Sequence, residues 1–125
     1  MKKIIIILFA AVFSSQVFAM SHSPEPYTPP TWHENANAED DAAFAVAHKD
    51  FRLLAYAARN TVVPGVDQNE KAMLSKICGL RMIEGFGDVV RSQAQLQAMK
   101  TMHDYAMRYN KIISTQCRAA NSSEK

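Results

Sequence analysis

Residues 89–116 read VVRSQAQLQAMKTMHDYAMRYNKIISTQ, and their spacing decides the fold class. Leu96, Met99, Met102, Ala106, Tyr109 and Ile113 recur at three- and four-residue steps, the period of one helix face. No proline interrupts the run. The spacing predicts a long amphipathic helix over about 89–116. An isolated helix is marginal in water, so its apolar stripe needs other elements to pack against. No alternating apolar pattern elsewhere is long enough for a sheet. The expected fold is therefore all-α, a small bundle of three to four helices.

Just beyond this helix stands Cys117, and Cys78 is the chain's other cysteine. In an oxidising compartment an isolated pair of this kind forms one disulfide. A metal pair or a reactive thiol are the alternatives, but a separation of 39 positions has no C-x-x-C character. The bond would close the bundle and stabilise it by about 4 kcal/mol in the chain-entropy account. It also constrains the layout. If the helix before Gly85-Phe86-Gly87 ends there, Cys78 lies ~10 Å before the break, and Cys117 lies ~45 Å beyond it. A plain helical hairpin cannot bring the two α-carbons to ~6 Å. The third helix must restart near Ser92, lose its last turns or kink, and a break between 85 and 95 is the simplest solution.

Upstream, Asp67 and Glu70 open a second helix, with Met73, Ile77 and Leu80 along one face. The first helix is expected over about 38–59. Asn37 caps it, Glu39, Asp40 and Asp41 suit its positive end, and Phe44, Ala47, Phe51, Leu54, Ala55 and Ala58 follow helical spacing. Thr61-Val62-Val63-Pro64-Gly65 then reads as a short extended stretch with a turn. Residues 20–37 hold four of the five prolines and predict an extended lead, with Tyr27 and Trp32 pinned to the body. Residues 38–118 form the helical domain, and 119–125 a polar tail.

Residues 1–19 have the pattern of a secretory signal. Lys2 and Lys3 precede an apolar run from Ile4 to Phe13, and Val17-Phe18-Ala19 offers a cleavage site. That run is shorter than the ~20 residues needed to span a bilayer. Cleavage after Ala19 would start the mature chain at Met20, in the periplasm or outside the cell. An uncleaved N-terminal anchor is the alternative. Beyond Lys2 and Lys3, the acids and bases balance, which lends no support to nucleic-acid binding. The balance is uneven along the chain. Residues 20–50 are acidic and 51–125 basic, so the lead can partly neutralise a partner surface on the body.

Candidate chemistry is sparse. An amine at Met20, the amides of Ser21 and His22, and the His22 imidazole could wrap copper in a square plane. Met99, Met102, His103 and Met107 contain copper-ligand types, yet Met99 and Met102 also belong to the apolar stripe. His48 with Asp50, Glu84 with Asp88, and His103 with Asp104 are acid–base pairs without a recognisable catalytic motif. Glu84 and Arg81 read more simply as ion-pair formers, and no nucleophile motif or phosphate loop is present. The function expected is a non-enzymatic protein-binding role. Loops at 60–67 and 84–92 are the expected contacts, with Val62, Val63 and Phe86 as apolar groups and Arg59 and Arg91 as charged ones; the alternative is that the valines and Phe86 close the ends of the core. The general build is similar to small secreted helical proteins of bacteria, including periplasmic inhibitors and immunity proteins that neutralise cell-wall enzymes. The likeness rests on size, signal, helicity and one disulfide, and it transfers no functional residue.

Overall fold

The computed structural model describes residues 26–57, 60–83 and 91–123. Helix α1 spans Ala38–Ala47, strand β1 Leu53–Ala55, helix α2 Gln68–Cys78, strand β2 Leu80–Met82 and helix α3 Gln93–Ser123. The protein is mostly helical, with one disulfide and a two-stranded parallel sheet.

Asn37 opens α1 as its spacing implies. Its Oδ1 accepts the Asp40 N–H at 2.9 Å, and three acids follow in the first turn. The helix does not run to residue 59. It ends at Ala47, Lys49 takes a left-handed φ of 58°, and the Asp50 N–H returns to the Ala45 carbonyl at 2.9 Å. The cause lies just downstream. Leu53, Leu54, Ala55 and Tyr56 are buried at every consecutive position, which is how a strand covered on both faces reads. Such a run has no helical phase, although its members coincide with helical spacing. The buried side of α1 is then its alanines, Ala38, Ala42 and Ala45, while Phe44 is 44% exposed.

Strand β1 pairs with β2 in parallel, with Leu53, Leu54 and Ala55 opposite Leu80, Arg81 and Met82. Parallel strands need a crossover, and α2 supplies it. Leu53 donates to the Gly79 carbonyl at 2.9 Å, and Ala55 accepts from the Ile83 N–H at 2.8 Å. Leu54, between them, turns its polar groups the other way. Both are taken by one side chain of α3: Asn110 Oδ1 accepts the Leu54 N–H at 2.7 Å, and Nδ2 donates to the Leu54 carbonyl at 2.9 Å. Nδ2 also donates to the Pro64 carbonyl at 2.8 Å. Asn110 is fully buried and serves the exposed edge of β1 as a third strand would.

Helix α3 begins one residue after Ser92, whose Oγ accepts the Gln95 N–H at 3.1 Å. Gln95 reaches back to the Arg91 N–H at 2.6 Å. Its stripe is the expected one from Met102 on: Met102, Ala106, Tyr109 and Ile113 are fully buried, while Leu96 and Met99 are half-buried. It continues helical through Ser123, so most of the expected polar tail at 119–125 is helix.

The restart at Ser92 resolves the disulfide. The helix rise places Cys117 ~36 Å along α3 from Gln93. An extended chain advances ~3.3 Å per residue, so residues 79–92 have the reach to return that far. Cys78 and Cys117 are bonded, with α-carbons 6.0 Å apart. The same bond sets the phase of α2. Successive helix residues are ~100° apart, and Cys78 must face α3, so Leu74 is buried beside it. Met73 and Ile77, expected in the core, are 48% and 43% exposed. Gly65 permits the close approach of the 60–67 turn: its φ is +80°, and a Cβ there would lie 2.7 Å from the Met107 carbonyl oxygen.

Candidate functional site

Residues 26–36 form neither helix nor strand, yet they lie on the body. Trp32 packs against the core, and Tyr27 donates its hydroxyl proton to Asp50 Oδ2 at 2.6 Å. Asp50 also accepts from Arg52 Nε at 2.8 Å and Nη2 at 3.0 Å. The Arg52 hydrogen bonds are the largest influence on this carboxyl and hold it at about 2, below its ordinary 3.8. Burial, reinforced by Asp50, pushes the Tyr27 hydroxyl above its ordinary value. His48 stacks on Tyr27 with ring centroids 4.8 Å apart, and its Nδ1 lies 2.9 Å from the Phe44 carbonyl.

Between this lead and β2 lies a cleft of about 440 Å³. Thr28, Thr31 and Trp32 line it from the lead, Arg81, Met82 and Ile83 from β2 and the residue beyond. Arg81 Nη2 donates to the Tyr109 hydroxyl at 3.2 Å, and the guanidinium carbon stands 5.8 Å from the centre of that ring. Its Nε is buried without a hydrogen-bond partner. Nearby in sequence on α3, Tyr105 donates to Asp41 at 2.6 Å. Burial first raises both Tyr105 and Tyr109, and at Tyr109 the Arg81 contact works against that rise. Tyrosines pushed upward and an aspartate held at about 2 each keep one protonation state across neutral pH. These hydrogen bonds brace the lead and α1 against the body.

A second recess, of about 310 Å³, is lined by Asn60, Thr61, Val62, Val66, Gln68 and Lys71 among others. Lys71 donates to the Thr61 carbonyl there. Of the residues chosen from sequence as partner contacts, Val62 is half-buried and bridges Tyr56, while Val63 is 6% exposed and belongs to the core. Val63 closes the turn onto the core and also lines this recess. Arg91 is exposed. Arg59 and Phe86 lie outside the described residues, as do Met20, Ser21 and His22 of the copper reading and the Glu84–Asp88 pair.

Met102 is in the core, and His103 Nδ1 is 2.7 Å from the Tyr56 hydroxyl. Asp104 faces Arg108 at 3.6 Å. Among the described residues, no three His, Cys, Asp or Glu side chains gather as a metal site requires, and no helix is long and apolar enough to cross a membrane.

Sequence reasoning passed over Arg81 and Asn110 as site residues. Each carried a signal: a cation between Leu80 and Met82, and an amide on an otherwise apolar stripe. Compared with known proteins, the chain matches no protein-family model, no curated protein and no solved structure.

Proposed function

We propose that this is an exported, non-catalytic binding protein of the periplasm or the extracellular space. It acts by docking a protein partner, as small periplasmic inhibitors and immunity proteins do. The body is a small helical bundle closed by the Cys78–Cys117 bond, and the Pro-rich lead is its extended N-terminal arm. The observation that carries this reading is the outer face of α2. Met73 and Ile77, one turn apart, are 48% and 43% exposed on a helix that the disulfide ties to α3. Apolar side chains left next to one another on a rigid surface favour a docking face. The disulfide is compatible with an oxidising compartment.

The test is affinity capture from envelope extract with the wild-type protein and with Met73→Asp/Ile77→Asp, alongside metal analysis of the same samples. The reading expects a stoichiometric partner that the double variant loses while its far-ultraviolet circular dichroism is unchanged. A partner retained by the double variant would move the interface away from α2. Bound copper without a partner would overturn the docking reading in favour of the Met20-Ser21-His22 site.

A further inference from the structure

We infer that the cleft between the Thr28–Trp32 segment and β2 is a binding site for a monocarboxylate carried on an apolar body, with Arg81 as its anchor. The site does not use Met73 or Ile77 and stands independently of the docking role of α2.

The argument begins with charge. Arg52, Arg108 and Arg118 each meet a carboxylate, and each has a side chain more than 40% exposed. Water alone could solvate those three. Arg81 is the reverse case. It lines the cleft, its Nε is withdrawn from water, and no carboxylate pairs with it among the described residues. A guanidinium carries five N–H donors, and the described residues engage it only through Tyr109. A buried donor without an acceptor is costly, and the described residues leave Nε in that state. A carboxylate is the group whose two oxygens match the guanidinium fork.

The walls select the rest of the ligand. Trp32, Leu54, Met82 and Ile83 are apolar, and Arg81 is the lining's cation. One positive charge among apolar walls suits a singly charged carboxylate with a hydrophobic body, in preference to a doubly charged phosphate. Thr28 and Thr31, which carry hydroxyls, belong to the same lining. A volume of about 440 Å³ lies in the range of small-ligand sites and accommodates a body the size of one aromatic residue. Two sources share this chemistry: a free small carboxylate, and the C-terminal carboxylate of a polypeptide ending in an apolar residue.

Calorimetric titration of the oxidised protein tests the site. The probes are 3-phenylpropanoate, its neutral amide, and the peptide Gly-Gly-Phe with a free or an amidated C-terminus. The acid should bind saturably, and the amide about tenfold more weakly or not at all. Arg81→Met should abolish acid binding. Should that variant misfold, Arg81→Lys keeps the charge without the fork and should weaken the acid about tenfold. In nitrogen-edited NMR spectra, the Arg81 Nε–H signal should move downfield as the acid is added. Tighter binding of the free peptide than of 3-phenylpropanoate assigns the site to polypeptide C-termini, and the opposite order assigns it to small carboxylates. Either order supports the site. Equal binding of acid and amide, binding undiminished in both Arg81 variants, or no binding of either free carboxylate at millimolar concentration overturns it.

Discussion

Helix α3 and the segment from Phe44 to Ala57 look alike in sequence and fold differently. Both carry apolar residues at helical spacing. In α3 the spacing is separated by polar residues at every turn, such as Lys100, Asp104, Arg108 and Lys111, all exposed. Only one rotation of the helix buries the stripe, so phase and identity are fixed together. From Phe51 to Ala57 the only polar residue is Arg52, and burial is continuous from Leu53 to Tyr56. No rotation of a helix there would separate an inner from an outer face. The segment takes whatever backbone its neighbours can satisfy, and those neighbours are β2 on one edge and Asn110 on the other.

The comparison breaks most severely at the disulfide, because it holds α2 against α3 and so keeps β2 in reach of β1. Replacing Cys78 and Cys117 with alanine should reduce stability by about 4 kcal/mol in denaturant titration. Amide exchange should sharpen the result. The Leu54 and Tyr56 amides should lose protection more than that of Tyr109, because α3 keeps its own ladder. Equal loss in both regions would show that they open as one unit.

Asn110 is the next test. Asn110→Leu leaves the Leu54 N–H and the Pro64 carbonyl buried without the partner they now share. The cost should be about 3 kcal/mol in the same titration. A variant as stable as wild type would mean that β1 does not depend on its amide clamp.

A smaller effect comes from Asp50, where α1 gives way to β1. Its carboxyl titrates at about 2 in the folded protein, against an ordinary 3.8. The unfolded chain therefore takes up this proton first as acid is added. The contribution is fully present above about pH 4 and is lost as pH falls toward 2, amounting to about 2 kcal/mol. Asp50→Asn should remove that part of the acid dependence, measured as the difference in unfolding free energy between pH 6 and pH 3. An unchanged pH profile would detach Asp50 from the stability of the turn.

The smallest effect separates the two phases of α2. Met73→Ala should change stability by less than about 0.5 kcal/mol, the range of ordinary surface substitutions. Were Met73 in the core, the loss would be about 2–5 kcal/mol. Thermal unfolding distinguishes the two outcomes.

Legibility along the chain followed the density of constraint. The cap at Asn37 and the stripe from Met102 to Ile113 could be read because one local interaction or one repeated spacing specified each. The Ser92 start of α3 was legible only in part: the helix was expected from about 89, a restart near Ser92 was one of three ways to join the cysteines, and the capping-box spacing of Ser92 and Gln95 marks the start. Met73 and Ile77 were misassigned by one helix position, although Cys78, a residue that had to face α3, marked the correct phase. The turn sequence left Val63 open between a surface contact and a closure of the core; the turn folds onto α3 at Gly65, and Val63 is 6% exposed. Arg81 and Glu84 read as ion-pair formers; Glu84 lies outside the described residues, and the contact of Arg81 with Tyr109 could not be read from local spacing.

The sequence by itself determined that the chain is predominantly helical and that α3 is its long amphipathic element. It also determined which two cysteines were available to join. These follow from periodicity and from residue chemistry, which act over a few positions. Only the tertiary structure decided that residues 53–55 are strand, that Asn110 completes that strand, and that the bond turns α2 so that Leu74 faces inward. It alone placed Arg81 in a cleft with the lead folded over it. Each of these depends on contacts between positions 27 to 56 residues apart, where burial and hydrogen-bond pairing are settled by the partner that arrives and local spacing carries no information.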